Sequence, residues 1–133
     1  FYYAKKIFIY DKSWYMRRMR ENSIITTTNE VSIRKKINDR LNIANDLIKF
    51  FKNIEESQSK KVIINDFVRM YWGDLLLTIN LKDKKNFNDC SNTIKNTKKV
   101  LKYGELKKYK IADLLIKIIG VKNFLILAKK QLS

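Results

Sequence analysis

The pattern with the most chemistry in it is a pair of arginines spaced by one residue. Arg18 and Arg20 flank Met19, so on an extended segment both guanidinium groups face one side, where they can meet a diphosphate or an acidic ligand. The same alternation also serves an edge strand guarded by charge against unwanted pairing, and both roles stay open. Ser23 can orient a turn by bonding a nearby backbone group. Two other charges stand out by position: Arg40 falls within the apolar arc of one helical pattern and Asp74 within that of another. A charge so placed needs a partner, so each is expected to sit in a structural ion pair, with the other as a candidate partner. Cys90 lies on an apolar stripe, and Trp14 and Trp72 lie among apolar neighbours, so core packing is the expected role of all three.

Absences narrow the chemistry. The chain has no histidine, which removes a His-based triad, a His-ligated zinc and an imidazole base from these residues. One cysteine supports neither a disulfide framework nor a Cys-rich metal site and points to a reducing, cytoplasmic compartment. No signal-peptide pattern and no apolar run long enough to span a bilayer is visible, because lysines interrupt the C-terminal apolar stretch. The chain starts at Phe1, not at a methionine, and reads as a fragment. Its 133 residues suit a single compact unit, and 29 basic against 13 acidic side chains give a net charge of +16. Lys, Asn and Ile dominate and proline is absent, so part of the lysine excess is compositional habit.

The elements that must position these residues divide in texture near residue 28. Ile7-Phe8-Ile9-Tyr10 and Trp14-Tyr15-Met16-Arg17-Arg18 surround a turn-like Asp11-Lys12-Ser13 and read as two short strands. From Asn29, an expected N-cap, the period becomes helical. A first helix over 29–56 carries Ile33, Ile37, Leu41, Ala44, Ile48 and Phe51 on one side, widened by Leu47, Phe50 and Ile54. A second, over 60–81, is apolar nearly all round, the mark of the most buried element, and Gly73 can bend it. A third is expected over 87–101 after a loop at 82–86, a fourth over 105–119 after Gly104, and a last segment over 121–132 after Gly120. The predicted fold is mainly α: a small antiparallel bundle of four to five helices at 29–133, preceded at 1–28 by a two-stranded β appendage.

The stretch from Lys6 through Tyr10, a three-residue turn, and Trp14-Tyr15-Met16-Arg17-Arg18-Met19-Arg20-Glu21-Asn22-Ser23 resembles the segment that closes the catalytic domain of inverting family 2 glycosyltransferases of bacterial polysaccharide assembly. Arg18, Arg20 and Ser23 match the Arg-x-Arg-x-x-Ser ending of its aromatic strand, and Tyr15 matches the first aromatic. Arg17 departs, standing where the family more often has a second tyrosine. The match spans about the first fifth of the chain. The resemblance implies that 1–28 is the C-terminal edge of a GT-A type catalytic domain and that Tyr15, Arg18, Arg20 and Ser23 contact substrate. It further implies a parent enzyme of cell-envelope polysaccharide synthesis with a nucleotide-sugar donor, a saccharide or lipid-linked acceptor, and a divalent cation, magnesium or manganese, held by an Asp-x-Asp motif. This chain has neither Asp-x-Asp nor an adjacent Glu-Asp pair, so it holds no catalytic residue or cofactor of its own and is expected to be inactive alone.

Two partner classes compete with that reading. A charge of +16 and clusters such as Arg34-Lys35-Lys36 and Lys107-Lys108 suit a helical nucleic-acid-binding module, although no recognition motif is present and the cations are scattered, so no specific nucleic acid is expected. Homodimerisation through apolar helix faces is the other. The stretch 106–119 is apolar over more than half its wheel, with Lys110, Asp113 and Lys117 opposite. Such a helix either lies in the membrane interface at the inner face of the cell membrane or is buried by its bundle neighbours, and burial is the expectation for 111–119.

Overall fold

A computed structural model describes residues 29–132, and all of its regular structure is helical: α1 Glu30–Lys52, α2 Gln58–Ile79, α3 Lys84–Thr97, α4 Lys107–Ile119 and α5 Val121–Leu132, with a 3-10 segment Lys98–Tyr103 between α3 and α4. The two strands expected before residue 28 lie outside the described residues.

Local chemistry sets the helix starts. Asn29 Oδ1 accepts the Val31 N–H at 2.9 Å, Ser57 Oγ that of Lys60 at 3.1 Å, and Asp83 Oδ1 that of Asn86 at 2.9 Å. Each cap satisfies a donor that the first turn leaves unpaired, worth about 1 kcal/mol. Asp83 explains why α3 starts three residues before the expected Phe87. The Glu30 carboxylate then ties two helix starts together by accepting the Asp83 N–H at 2.8 Å and the Asn86 amide at 3.3 Å. That first bond, helped by the amide, holds the Glu30 carboxyl below its ordinary pKa. α1 stops at Lys52, short of the expected 56, and Lys60 of the next helix folds back to donate to Ile54 O at 2.7 Å and Glu56 Oε1 at 2.6 Å. Lys60 is buried although it is a lysine, because its ammonium has these two acceptors.

One core joins the five helices. Ile37, Leu41, Ala44 and Ile48 of α1 meet Val68, Tyr71, Leu75 and Ile79 of α2, with Cys90 and Ile94 of α3, Val100 and Leu101 of the 3-10 segment, Ala112 and Ile116 of α4 and Leu125 of α5. The α1 stripe is the one its 3–4 spacing predicts. α2 packs against α1, α3, the 3-10 segment and α5, yet it is not enclosed all round: Val62 and Leu77 are exposed. It also runs unbroken through Gly73. Tyr71 is fully buried, its hydroxyl 2.9 Å from Thr97 Oγ1 at the end of α3. Burial raises the Tyr71 pKa, so it stays a neutral hydrogen-bonding phenol.

The glycines differ in what they do. Gly120 has φ +82°, a conformation that favours glycine, and links α4 to α5. Gly104 sits where a Cβ would lie 2.3 Å from the Tyr109 ring and 2.8 Å from Val68 Cγ1. Around Gly73 a Cβ meets nothing within 4 Å. Gly73→Ala should therefore stabilise the bundle by roughly 0.5–1 kcal/mol through helix propensity, and Gly104→Ala should destabilise it by about 1–3 kcal/mol through overpacking. Denaturant melts of the two variants check the pair, and equal effects of one sign would refute this account of the turn.

Candidate functional site

Asp74 of α2 is 1% exposed and lies across from Arg40 of α1, Oδ2 to Nε at 3.1 Å. The approach has the distance of an ion pair but not the alignment of a hydrogen bond, and both Asp74 oxygens are buried without a donor. Burial therefore dominates and pushes the Asp74 carboxyl up from 3.8 to about 6, against the pull of Arg40 and Lys36. The pair joins two helices. Cys90 is wholly buried, and burial first, then Asp89, raises its thiol to about 11, which leaves no thiolate for chemistry at neutral pH. Tyr15, Arg18, Arg20 and Ser23 lie outside the described residues. Among the described residues no three Cys, Asp or Glu side chains converge as a metal site.

A polar cleft of about 700 Å³ lies between the starts of α1 and α3, lined by Arg34, Lys84, Lys85, Asn88, Asp89 and Asn92. Arg34 Nη1 donates to Asp89 Oδ2, which also accepts the Asn38 amide at 3.2 Å. Amides, carboxylates and cations together form a lining suited to hydroxyl-rich or phosphorylated ligands. The sequence marked none of these residues as a site except through the charge run at Arg34, because α1 and α3 meet only in the fold.

The largest departure from expectation is in α4. Tyr109, Ala112, Asp113 and Ile116 face inward, whereas Ile111, Leu114, Leu115 and Ile118 face solvent, with Ile118 70% exposed and Ile111 and Leu114 57% each. Burial of 111–119 was the expectation, and the structure reverses it for these four. The reversal has a physical cause: the helix is apolar on two sides, and Gly104, packed against Tyr109 and Val68, turns the Tyr109 side toward the core. Asp113, expected on the solvent side, is drawn to the buried side and held by Lys117 Nζ at 2.6 Å.

Beside this ridge runs a groove of about 550 Å³ between α4, α5 and α2, with Trp72 and Leu76 from α2, Ile111 and Leu115 from α4, and Leu127 and Leu132 from α5. Trp72 is half-buried and edge-on to Tyr109 at 5.7 Å, and Lys108 Nζ stands 5.7 Å from the Trp72 ring and 5.2 Å from that of Tyr109. Trp72, expected in the core, thus lines the groove as well. No helix among the described residues is long and apolar enough to cross a membrane. No protein-family model, curated protein or solved structure matches this chain.

The raised Asp74 pKa sets a pH dependence. Its folded pKa exceeds the unfolded value, so folding favours the protonated acid, and the stability this gives is present below about pH 4 and lost as pH rises through about 6. The cost at neutral pH is on the order of 3 kcal/mol, at about 1.4 kcal/mol per pKa unit. Asp74→Asn should gain stability relative to the parent between pH 4.5 and 7.5. Paired denaturant melts measure the difference, and a constant difference would refute a raised pKa.

Proposed function

We propose that this chain is the helical accessory part of a bacterial glycosyltransferase that moves a sugar from a nucleotide-sugar donor to a polysaccharide or lipid-linked acceptor. The observation that carries the reading is the run from Trp14 to Ser23, in which Arg18 and Arg20 alternate and Tyr15 and Ser23 keep the family's spacing. Sugar transfer needs a base for the acceptor hydroxyl and positive charge for the departing diphosphate. Spaced by one residue, the two arginines suit the second task, because side chains at i and i+2 of an extended segment share one side. The base and the metal-holding Asp-x-Asp belong to a catalytic domain outside these residues, which the bundle follows.

The polar cleft supports an accessory role. It is built from the starts of α1 and α3, and its asparagines, aspartates and lysines are groups that hold sugar hydroxyls and phosphates. Nucleic-acid binding is the alternative that the charge of +16 keeps open. It would appear as polynucleotide affinity that falls steeply with salt, about 0.9 in log–log slope for each phosphate neutralised on duplex DNA.

Intact mass and peptide sequencing of the native protein test the proposal. The expected result is an α/β region ahead of Phe1 with Asp-x-Asp and a Glu-Asp pair. In that protein Arg18→Ala or Arg20→Ala should lower kcat/KM by at least about tenfold without lowering the melting temperature. A native polypeptide lacking those motifs would sink the reading, as would unchanged sugar transfer in both variants.

A further inference from the structure

We infer that the exposed face of α4, continued by the groove to α5, is a docking surface for an anionic lipid bilayer. Stepping 100° per residue around α4 puts Ile111, Leu114, Leu115 and Ile118 in one arc, and this is the arc that the structure leaves in solvent. The same steps put Lys108 on one flank of the arc, Lys110 and Lys117 on the other, and Lys107 at its N-terminal end. An apolar ridge bordered by long cationic side chains matches the layered chemistry of a membrane interface. The apolar groups enter the acyl boundary while the ammonium groups stay at the phosphates.

Charge selects the occupant. Residues 107–132 carry seven lysines, Lys107, Lys108, Lys110, Lys117, Lys122, Lys129 and Lys130, all exposed, against one acid, Asp113, which is buried and bonded to Lys117. A second copy brought onto this face would set two such lysine sets against each other, within molecules of +16. An anionic bilayer meets the same lysines with the opposite sign. Leu127 and Leu132, across the groove from Ile111 and Leu115, extend the apolar area to α5, and no described helix could instead span the bilayer. The inference rests on this face alone and stands independently of the sugar-transfer reading.

Co-sedimentation of the full chain with vesicles tests it, using phosphatidylcholine alone and phosphatidylcholine with one quarter phosphatidylglycerol. The chain should bind the anionic vesicles at least about tenfold more tightly than the neutral ones, and less so as salt rises from about 0.1 M to about 0.5 M. In a Trp14→Phe background, Trp72 emission should shift to shorter wavelength on binding, since Trp72 lines the groove. Leu114→Glu combined with Ile118→Glu should cut anionic-vesicle affinity at least about tenfold while leaving the melting temperature unchanged, because both side chains are already in solvent. No binding to anionic vesicles would overturn the inference, and so would equal binding by the double variant, which would mean adsorption by charge alone. A dimer by sedimentation that the double variant dissolves, with vesicles ignored, would assign the face to a second copy. None of these readouts involves sugar transfer.

Discussion

The rotation of α4 about its own axis is set by one close contact, and most of what the surface offers depends on it. Gly104 brings the chain so near Val68 and the Tyr109 ring that no Cβ fits between them. Tyr109 must then lie inward, and a helical repeat carries Ala112, Asp113 and Ile116 inward with it. The opposite arc, Ile111 to Ile118, is left outside, and none of the described helices covers it. Val68 is also one of the core positions of α2, so the packing that closes the centre of the bundle also fixes the face that α4 turns to solvent.

Inward charges follow a related logic. Among the described residues, Lys60, Asp74 and Asp113 are the buried ionisable groups besides the phenols and the thiol, and each is compensated to a different degree. Lys60 has a carbonyl and a carboxylate within hydrogen-bond distance. Asp113 has Lys117 on one oxygen, while the other is buried without a partner. Asp74 has Arg40 at 3.1 Å without the alignment of a hydrogen bond, and both of its oxygens lack a donor. The ranking predicts which site costs most when charged, since desolvation is offset only where donors or acceptors are aligned. Most of the other lysines among the described residues are turned outward, where they repel one another and favour an anionic surface.

How far the sequence was legible depends on whether a decision is local. The α1 stripe, the Asn29 cap and the breaks at Gly104 and Gly120 are local, and each stands where periodicity or capping chemistry places it. Arg40 and Asp74 were visible as charges within apolar arcs, and the fold sets them 3.1 Å apart. The end of α1 was misjudged because Lys60, from the next helix, supplies an acceptor-seeking ammonium there, and spacing does not announce such a contact. The rotation of α4 was illegible for a stronger reason. With apolar residues over more than half the wheel, periodicity does not single out one inward face, and the contact with Val68 of α2 beside Gly104 and Tyr109 lies outside what spacing shows. Tyr15, Arg18, Arg20 and Ser23 lie outside the described residues, so the role that the resemblance implies for them rests on sequence alone and stays a proposal.

The exposed ridge also bears on composition. A chain rich in Ile and Lys will place both on its surface often, and single exposed isoleucines need no explanation. Composition sets how many such residues there are, but not that four fall at 111, 114, 115 and 118, one helical face. Nor does it set lysines on both flanks of that face, or an acid removed from it into the interior beside Lys117. Folding gives little reason for the pattern, because side chains that stay in solvent contribute little to stability and polar residues there would serve as well. The packing of the described residues therefore does not account for an apolar ridge with an organised cationic border, and it is this surplus that the docking proposal addresses.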